Sequence, residues 1–376
     1  MSVTPEDRRY MAAAMRLSRW RTGLTATNPS VGAIVVRDGA IVGRAVTAPG
    51  GRPHGETQAL SQAGEKARGA TLYVTLEPCS HHGKTPPCAD AIVAAGISRV
   101  VVSLTDPDPR VSGRGLAILR QAGIAVDEGV LEEESRRALQ AYLMRQTKGR
   151  PHVTLKLAVS ADGMIGRRGE EQITITGPAA RAQVHVLRAE MDAILVGIGT
   201  ALADDPELTC RAPGLETRSP LRVVLNRRLD LSPASKLARS ARQVPVLLAS
   251  IPSPREQEEG ARRADGGDDA STLGRLRTEL AAAGVEILET RSLATLLSTL
   301  AARGISSLLV EGGAAVAKSF LEAGLVDRIL LFEGAVTVGA NGIASPVTGA
   351  DIPAGFRLLR EAAFGPDRLT EYERSP

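Results

Sequence analysis

Residues 71–88 read TLYVTLEPCSHHGKTPPC, and the order of residue types in this stretch decides how the first half of the chain folds. Thr71–Leu76 is a short β-branched, apolar run, which predicts a buried strand delivering Cys79 just past its end. Pro86 and Pro87 then predict the start of a helix over Cys88–Ala95, stopped by Gly96. Upstream, Pro53-His54-Gly55-Glu56 opens a second helical pattern that runs to Ala63. Two helix N-termini are thereby aimed at one imidazole and two thiols, and their positive ends favour the thiolate forms. His54, Cys79 and Cys88 are the donor set of a catalytic zinc site, which keeps its fourth tetrahedral position open. Gly55 costs about 1 kcal/mol in a helix relative to Ala, and its small size is expected to let a flat ring lie close to the backbone.

Zinc lowers the pKa of water toward ~7, which readies it for attack on an sp² carbon. Glu56, two residues from the histidine, can serve that water without ligating the metal: it takes the proton, hands it to a ring nitrogen and helps an amine leave. Such chemistry is hydrolytic deamination of an amino-heterocycle, the role of the non-ligand Glu in the H-x-E…P-C-x-x-C signature. That signature has two residues between its cysteines, whereas Ser80–Pro87 puts eight between Cys79 and Cys88, a departure that steers away from nucleic-acid and free-nucleoside deaminases. A purely structural zinc would need four protein ligands, and three stand at the expected positions.

At 376 residues the chain suits two domains, each able to bury a core. A net charge of +4 fits anionic small molecules better than a nucleic-acid stripe, and 2% aromatic residues leave few stacking platforms. Three cysteines, two of them assigned to the metal, point to a reducing cytoplasm without a disulfide framework. The opening MSVTPEDRRY carries acids and no apolar core of a signal peptide, and no apolar run reaches the ~18 residues of a membrane span.

In chain order, Pro5–Arg19 has a helical apolar rhythm. Gly32–Val36 and Ala40–Val46 alternate as strands around the hairpin signal Asp38-Gly39. Strand and helix then recur to Val126, with Arg99–Leu104 another buried strand, so the sheet is mixed or parallel with helices on both faces. The apolar pattern stops in the basic segment Leu143–Pro151, which separates a first domain, 1–147, from a second, 151–376. The second half repeats the α/β rhythm, with strands at His152–Val159, Asp192–Gly197, Leu221–Leu225, Val244–Ala249, Ser306–Val310 and Arg328–Phe332. Residues 252–272, dense in Arg, Glu, Asp and Gly, read as an exposed insertion. Glu311-Gly312-Gly313 follows a strand and opens a helix, a place where backbone N–H groups can approach a phosphate.

Asn28-Pro29-Ser30-Val31-Gly32, His54-x-Glu56, the run from Thr75 to Cys88 and Asp106-Pro107 resemble the deaminase half of the bifunctional riboflavin-biosynthesis deaminase/reductase family. Lys156 to Gly163, Ile175-Thr176-Gly177-Pro178, Gly199 to Thr209 and Glu311-Gly312-Gly313 are similar to its reductase half. The resemblance implies a cytidine-deaminase-like α/β/α sandwich followed by a dihydrofolate-reductase-like α/β domain, with Zn2+ and NADPH as cofactors. It also implies phosphoribosylaminopyrimidine substrates and a homo-oligomer. A deaminase with a degenerate reductase half is the alternative.

By position, the resemblance assigns Asn28, His81 and Lys84 to substrate contacts in the first domain, Lys84 on the phosphate, with His82 structural. In the second domain Ala158, Thr174, Thr200, Asp204 and the run Gly313, Ala314, Ala315, Val316, Ala317, Lys318 and Ser319 would line NADPH, and Arg227, where the chain departs from the family, can bind the adenosine 2′-phosphate that distinguishes NADPH from NADH. Gln172 and Leu208 would touch substrate, Arg188 and Arg211 would hold its phosphate with their guanidinium forks, and Glu311 would grip the sugar hydroxyls. Lys156 would polarise or protonate the sugar as its ring opens. Departures from the family pattern stand at Thr47 (frequently His), Gly55 (usually Ala), Asp108 (Asn), Gln172-Ile173-Thr174 (Ser, then an aromatic) and Asn226-Arg227 (Asp-Ser). Cys210 lies outside the metal pattern and reads as a small apolar filler.

Overall fold

A computed structural model of the chain describes residues 3–81, 86–108, 111–169, 173–251 and 267–375. It divides into two compact units, Met1–Arg150 and Pro151–Pro376. Lys84, Gln172 and residues 252–266 lie outside the described residues. From Gly267 the chain is helical, so the end of the stretch read as an insertion is regular structure.

The first unit runs α1 (Pro5–Ser18), β1 (Gly32–Arg37), β2 (Ala40–Val46), α2 (Gly55–Ala63), β3 (Thr71–Val74), α3 (Cys88–Ala94), β4 (Arg99–Val102), α4 (Arg114–Gln121), β5 (Ala125–Asp127), α5 (Glu132–Ala138) and α6 (Gln140–Lys148). Its sheet has the order β2-β1-β3-β4-β5. The β1 hairpin and the β1–β3 pair are antiparallel, and β3–β4 and β4–β5 are parallel. Period-two alternation sends Val35, Leu72, Val74 and Val100 into a core with Ala59 of α2, Ile92 of α3 and Leu119 of α4. Ile34, Tyr73 and Val101 point the other way, onto Met11 and Ala14 of α1.

A reciprocal cap fixes the start of α1. Thr4 Oγ1 accepts the Asp7 N–H at 3.1 Å while the Asp7 carboxylate accepts the Thr4 N–H at 2.9 Å. The same carboxylate accepts the Tyr73 hydroxyl at 2.8 Å and pairs with Arg99 at 2.7 Å, tying α1 to β3 and β4. Burial opposes this charge, but Arg99, the Thr4 N–H and the Tyr73 hydroxyl outweigh it and hold the Asp7 carboxyl far below its ordinary value. Arg99→Leu leaves a buried carboxylate without its cation and is expected to cost about 3–5 kcal/mol, read by urea unfolding near neutral pH. Because folding lowers this pKa, the contribution is complete above the unfolded value of 3.8 and fades only as pH falls toward the folded one. A loss below about 1 kcal/mol, the size of an exposed pair, would contradict the assignment.

The second unit runs β6 (His152–Val159), β7 (Met164–Arg167), α7 (Pro178–Glu190), β8 (Ala193–Gly197), α8 (Ile198–Asp204), β9 (Leu221–Leu225), α9 (Lys236–Arg239), β10 (Val246–Ser250), α10 (Gly267–Ala283), β11 (Val285–Glu289), α11 (Leu293–Ala302), β12 (Ser307–Glu311), α12 (Ala314–Glu322), β13 (Arg328–Glu333), β14 (Gly342–Ala344), β15 (Phe356–Phe364) and β16 (Asp367–Arg374). Nine strands form one sheet, β11-β10-β9-β8-β12-β6-β13-β16-β15, and β14 pairs with β7. The sheet is parallel from β11 to β13 and ends in an antiparallel pair of strands, β16 and β15. Leu155 and Leu157 of β6 face a core with Leu296, Leu300 and Phe320. Lys156 and Ala158 therefore lie on the opposite face, and Lys156 is in register with Glu311 of β12 and Leu330 of β13. Among the described residues no helix is long and apolar enough to cross a membrane.

Candidate active sites

In the first unit the three soft donors meet where two helices begin. His54 is the N-cap of α2, and Cys88 is the first residue of α3. Cys79 is presented between them, at the exit of β3. That exit is anchored by Glu77, whose buried carboxylate accepts the N–H groups of Asp106 (3.2 Å), Gly113 (2.9 Å), Gly115 (3.0 Å) and Leu116 (3.4 Å). His54 Nδ1 lies 3.3 Å from Cys88 Sγ and 3.6 Å from Cys79 Sγ, and all the ligand atoms fall within 4.8 Å of one another. Ligands about 2.0–2.3 Å from one centre at tetrahedral angles stand ~3.5 Å apart, so the trio fits zinc. The Cys88 N–H donates to Cys79 Sγ at 3.3 Å, and the Cys88 and His54 side chains beside it hold the Cys79 thiol well below its ordinary value.

Glu56 lies in the first turn of α2 and is buried, which pushes its carboxyl above the ordinary value. Its Oε2 has no hydrogen-bond partner among the described residues. His54, Glu56 and Cys79 open into a cavity of about 310 Å³ whose wall includes Asn28 and His81. A Cβ on Gly55 would stand 2.6 Å from Val31 O, so α2 starts directly on the sheet with no room for a side chain there.

Asp106 and Asp108 also line the cavity, together with Tyr142 and Gln146 of α6, which the sequence did not point to. The Tyr142 hydroxyl donates to Asp106 at 3.0 Å, and Gln146 Nε2 donates to Asp108 at 3.3 Å. Burial raises the Asp106 carboxyl to about 6. Asp106 belonged to a quoted motif, but nothing local marked a tyrosine 36 residues away as its partner.

In the second unit a polar cluster sits on the sheet face that carries Lys156. Arg188 of α7 forks onto Glu311, Nε at 2.9 Å and Nη2 at 2.8 Å, and its Nη1 donates to Thr209 O at 3.1 Å. Lys156 is half-buried, with Nζ 5.8 Å from the Phe332 ring centroid. Burial lowers its pKa, and Glu311 opposes that shift. Leu208 is buried, whereas Arg211 is exposed and pairs with Glu207 at 2.6 Å.

Thr200 of α8 lies against the Gly312-Gly313 turn. Both glycines have positive φ (78° and 77°), and a Cβ on Gly313 would stand 3.2 Å from Thr200 Oγ1. Along the 313–319 run Ala314 is half-buried, and Ala315, Lys318 and Ser319 are exposed. Val316 and Ala317 pack toward the core, Lys318 pairs with Glu322, and the Ser319 hydroxyl donates back to Ala315 O. Asp204 ends α8, and burial raises its carboxyl. Ala158 follows Lys156 on the same face of β6, while Thr174 and Arg227 are exposed, with no side-chain hydrogen bond to the cluster among the described residues. Cys210, expected to be a filler, is buried and also donates its thiol to His185 O at 3.2 Å.

Comparison with known proteins agrees with both halves. Residues 4–104 match the cytidine and deoxycytidylate deaminase zinc-binding region, and residues 151–370 match the RibD C-terminal domain. The riboflavin biosynthesis protein RibD of Aquifex aeolicus is 41% identical over 346 residues, covering 90% of this chain and 91% of that protein. The RibD of Escherichia coli is 38% identical over 379 residues, covering 96% and 98%. The structure of Acinetobacter baumannii RibD (form 1) superposes with a TM-score of 0.84 at 34% identity, covering 99% of each chain. With both halves matched in order and along nearly the whole length, the chain belongs to the RibD family of riboflavin biosynthesis proteins.

Proposed function

We propose that the chain carries out two successive reactions on one phosphoribosylated pyrimidine. The first unit hydrolyses the 2-amino group of 2,5-diamino-6-(5-phosphoribosylamino)pyrimidin-4(3H)-one, releasing ammonia. The second reduces the ribose of the resulting 5-amino-6-(5-phosphoribosylamino)uracil to a ribityl chain. The observation that carries this reading is the tetrahedral spacing of His54, Cys79 and Cys88 beside a buried Glu56, on a cavity, whose Oε2 has no partner among the described residues.

When held by these donors, zinc supplies a Lewis acid that makes water acidic enough to act near neutral pH. Glu56 takes the proton of that water, passes it to the pyrimidine ring nitrogen and then to the departing amine. Its raised pKa suits a group that must both accept and return a proton. Asn28 and the Asp106–Tyr142 pair present polar groups to the pyrimidine edge and ribose from the cavity wall. When bound, NADPH would supply the hydride of the second reaction, and the Gly312-Gly313 turn with Thr200 would hold it at the start of α12. As the C1′–O4′ bond opens and hydride reaches C1′, Lys156 delivers the proton to the ring oxygen. Burial lowers the Lys156 pKa and so eases that donation. Lys156, Glu311 and Arg188 are assembled as one cluster, which favours a working reductase over a degenerate one.

Purified, zinc-loaded protein is expected to release ammonia from the diaminopyrimidine and then oxidise NADPH. After chelation of the metal, ammonia release stops, while NADPH oxidation continues with the aminouracil as substrate. Loss of both activities on chelation would contradict the assignment of separate sites, and no ammonia from the loaded protein would reject the first reaction.

A further inference from the structure

The segment Glu207–Arg211 is tied down residue by residue. From α7, Arg188 Nη1 donates to Thr209 O at 3.1 Å, His185 O accepts the Cys210 thiol at 3.2 Å, and His185 Nδ1 accepts the Arg211 N–H at 3.2 Å. From β9, the wholly buried Arg222 donates to Glu207 O at 3.0 Å and to Ser240 Oγ at 2.8 Å. Between these anchors Leu208 sits at φ +55°, a left-handed conformation that a bulky residue keeps only when its surroundings over-determine it. The segment is therefore preformed, and His185 is the one anchor that a proton can release. An imidazole nitrogen that accepts an N–H carries no hydrogen of its own, and protonation would turn Nδ1 into a donor facing another donor.

The anchoring also separates the two arginines assigned to phosphate. All three N–H-bearing nitrogens of Arg188 are engaged, two by Glu311 and one by Thr209 O. Arg211 is held by an exposed pair with Glu207, side chains 54% and 49% accessible, and such a pair yields readily to an incoming dianion. Arg188 keeps two of its five N–H donors but is fixed in place by these bonds, so Arg211 is the guanidinium that can turn to fork onto a phosphate.

We infer that His185 is a positioning residue of the reductase site, whose neutral imidazole holds the Thr209–Arg211 backbone so that Arg211 receives the phosphate monoester of the substrate. This rests on the proposed reductase reaction. The charged groups facing the imidazole are Arg188 on its own helix, Arg211 on the segment it holds, and Glu311 on β12. Burial and the two guanidinium groups lower the His185 pKa, and the Thr209 carbonyl and Glu311, the latter already paired with Arg188, oppose them.

The test uses full-length zinc-loaded protein and two variants. In His185→Asn the amide oxygen can accept the Arg211 N–H and gains no proton; His185→Leu has no acceptor. Hydrogen exchange at the Arg211 amide reads positioning without turnover. Protection is expected in wild type near neutral pH, lost on acidification, retained at both pH values in His185→Asn, and absent in His185→Leu. In NADPH oxidation with the phosphorylated aminouracil, His185→Leu should raise KM about five- to tenfold, the loss of one hydrogen bond, with kcat nearly unchanged. The wild-type KM should rise in acid more steeply than that of His185→Asn, whose profile carries only the titration of the substrate phosphate. The dephosphorylated substrate should show the same KM with all three proteins.

An unprotected Arg211 amide in wild type, or matching pH dependence in wild type and His185→Asn, would overturn the inference. If His185→Leu does not fold, the comparison of wild type with His185→Asn decides alone. If wild type oxidises no NADPH, the reductase reading fails, and the exchange result still judges the anchoring.

Discussion

Glu56→Gln is expected to keep its zinc and to lose about 10²–10⁴-fold in ammonia release, the usual weight of a positioned general acid–base. The substitution changes one oxygen to an amide nitrogen and leaves His54, Cys79 and Cys88 untouched, so metal analysis should give wild-type stoichiometry. Glu56 is buried at the start of α2 with Oε2 unpartnered. Its other contacts are to its own backbone N–H and to Cys88, which the remaining amide oxygen of Gln can keep. Removal of a buried charge that burial already disfavours should, if anything, raise thermal stability. An equal rate in the variant would remove Glu56 from the mechanism. Lost zinc would instead make it part of the metal's support.

Lys156→Met is expected to reduce NADPH oxidation by about 10²–10⁴-fold while ammonia release stays at the wild-type rate. Methionine matches the length of the aliphatic stem, and Glu311 keeps its bidentate partner Arg188, so no carboxylate is stranded. The fold should therefore survive, with the contact to the Phe332 ring retained by the thioether. Measuring both reactions on one preparation separates a local chemical defect from a folding defect. Equal loss of ammonia release would show that the two units fail together.

How much of this could be read from the chain follows from how far apart interacting residues lie. The metal trio was legible because a strand, a turn and two helix starts place all three donors within one short run, from His54 to Cys88. Lys156 and Glu311 were legible as motif residues, but their adjacency depends on the β6–β12 register, which no local pattern encodes. The partners that hold the sites in shape were not legible. Glu77 is an ordinary acid until four backbone N–H groups converge on it from the β4–α4 connection and the first turn of α4. Arg222 reads as a charged residue in a strand, yet it is wholly buried because carbonyls and a hydroxyl surround its guanidinium.

The antiparallel edge of the second sheet escaped for a different reason. β15 and β16 are joined by cross-strand pairs such as Arg357–Glu373 and Arg360–Glu371 rather than by an apolar run. A search for buried strands passes over such a stretch. The stretch 252–272, read as an insertion, includes the start of α10 from Gly267, because charge density says nothing of local conformation.

The most direct test of two reactions on one chain is the isotopic mass of its final product. The protein is given the diaminopyrimidine in ¹⁸O-labelled water with NADPH deuterated at its hydride position. Hydrolysis in the first unit and hydride transfer in the second predict a ribityl product carrying one heavy oxygen on the pyrimidine and one deuterium at C1′. A product with only one of the two labels, or substrate recovered unchanged, would contradict the account.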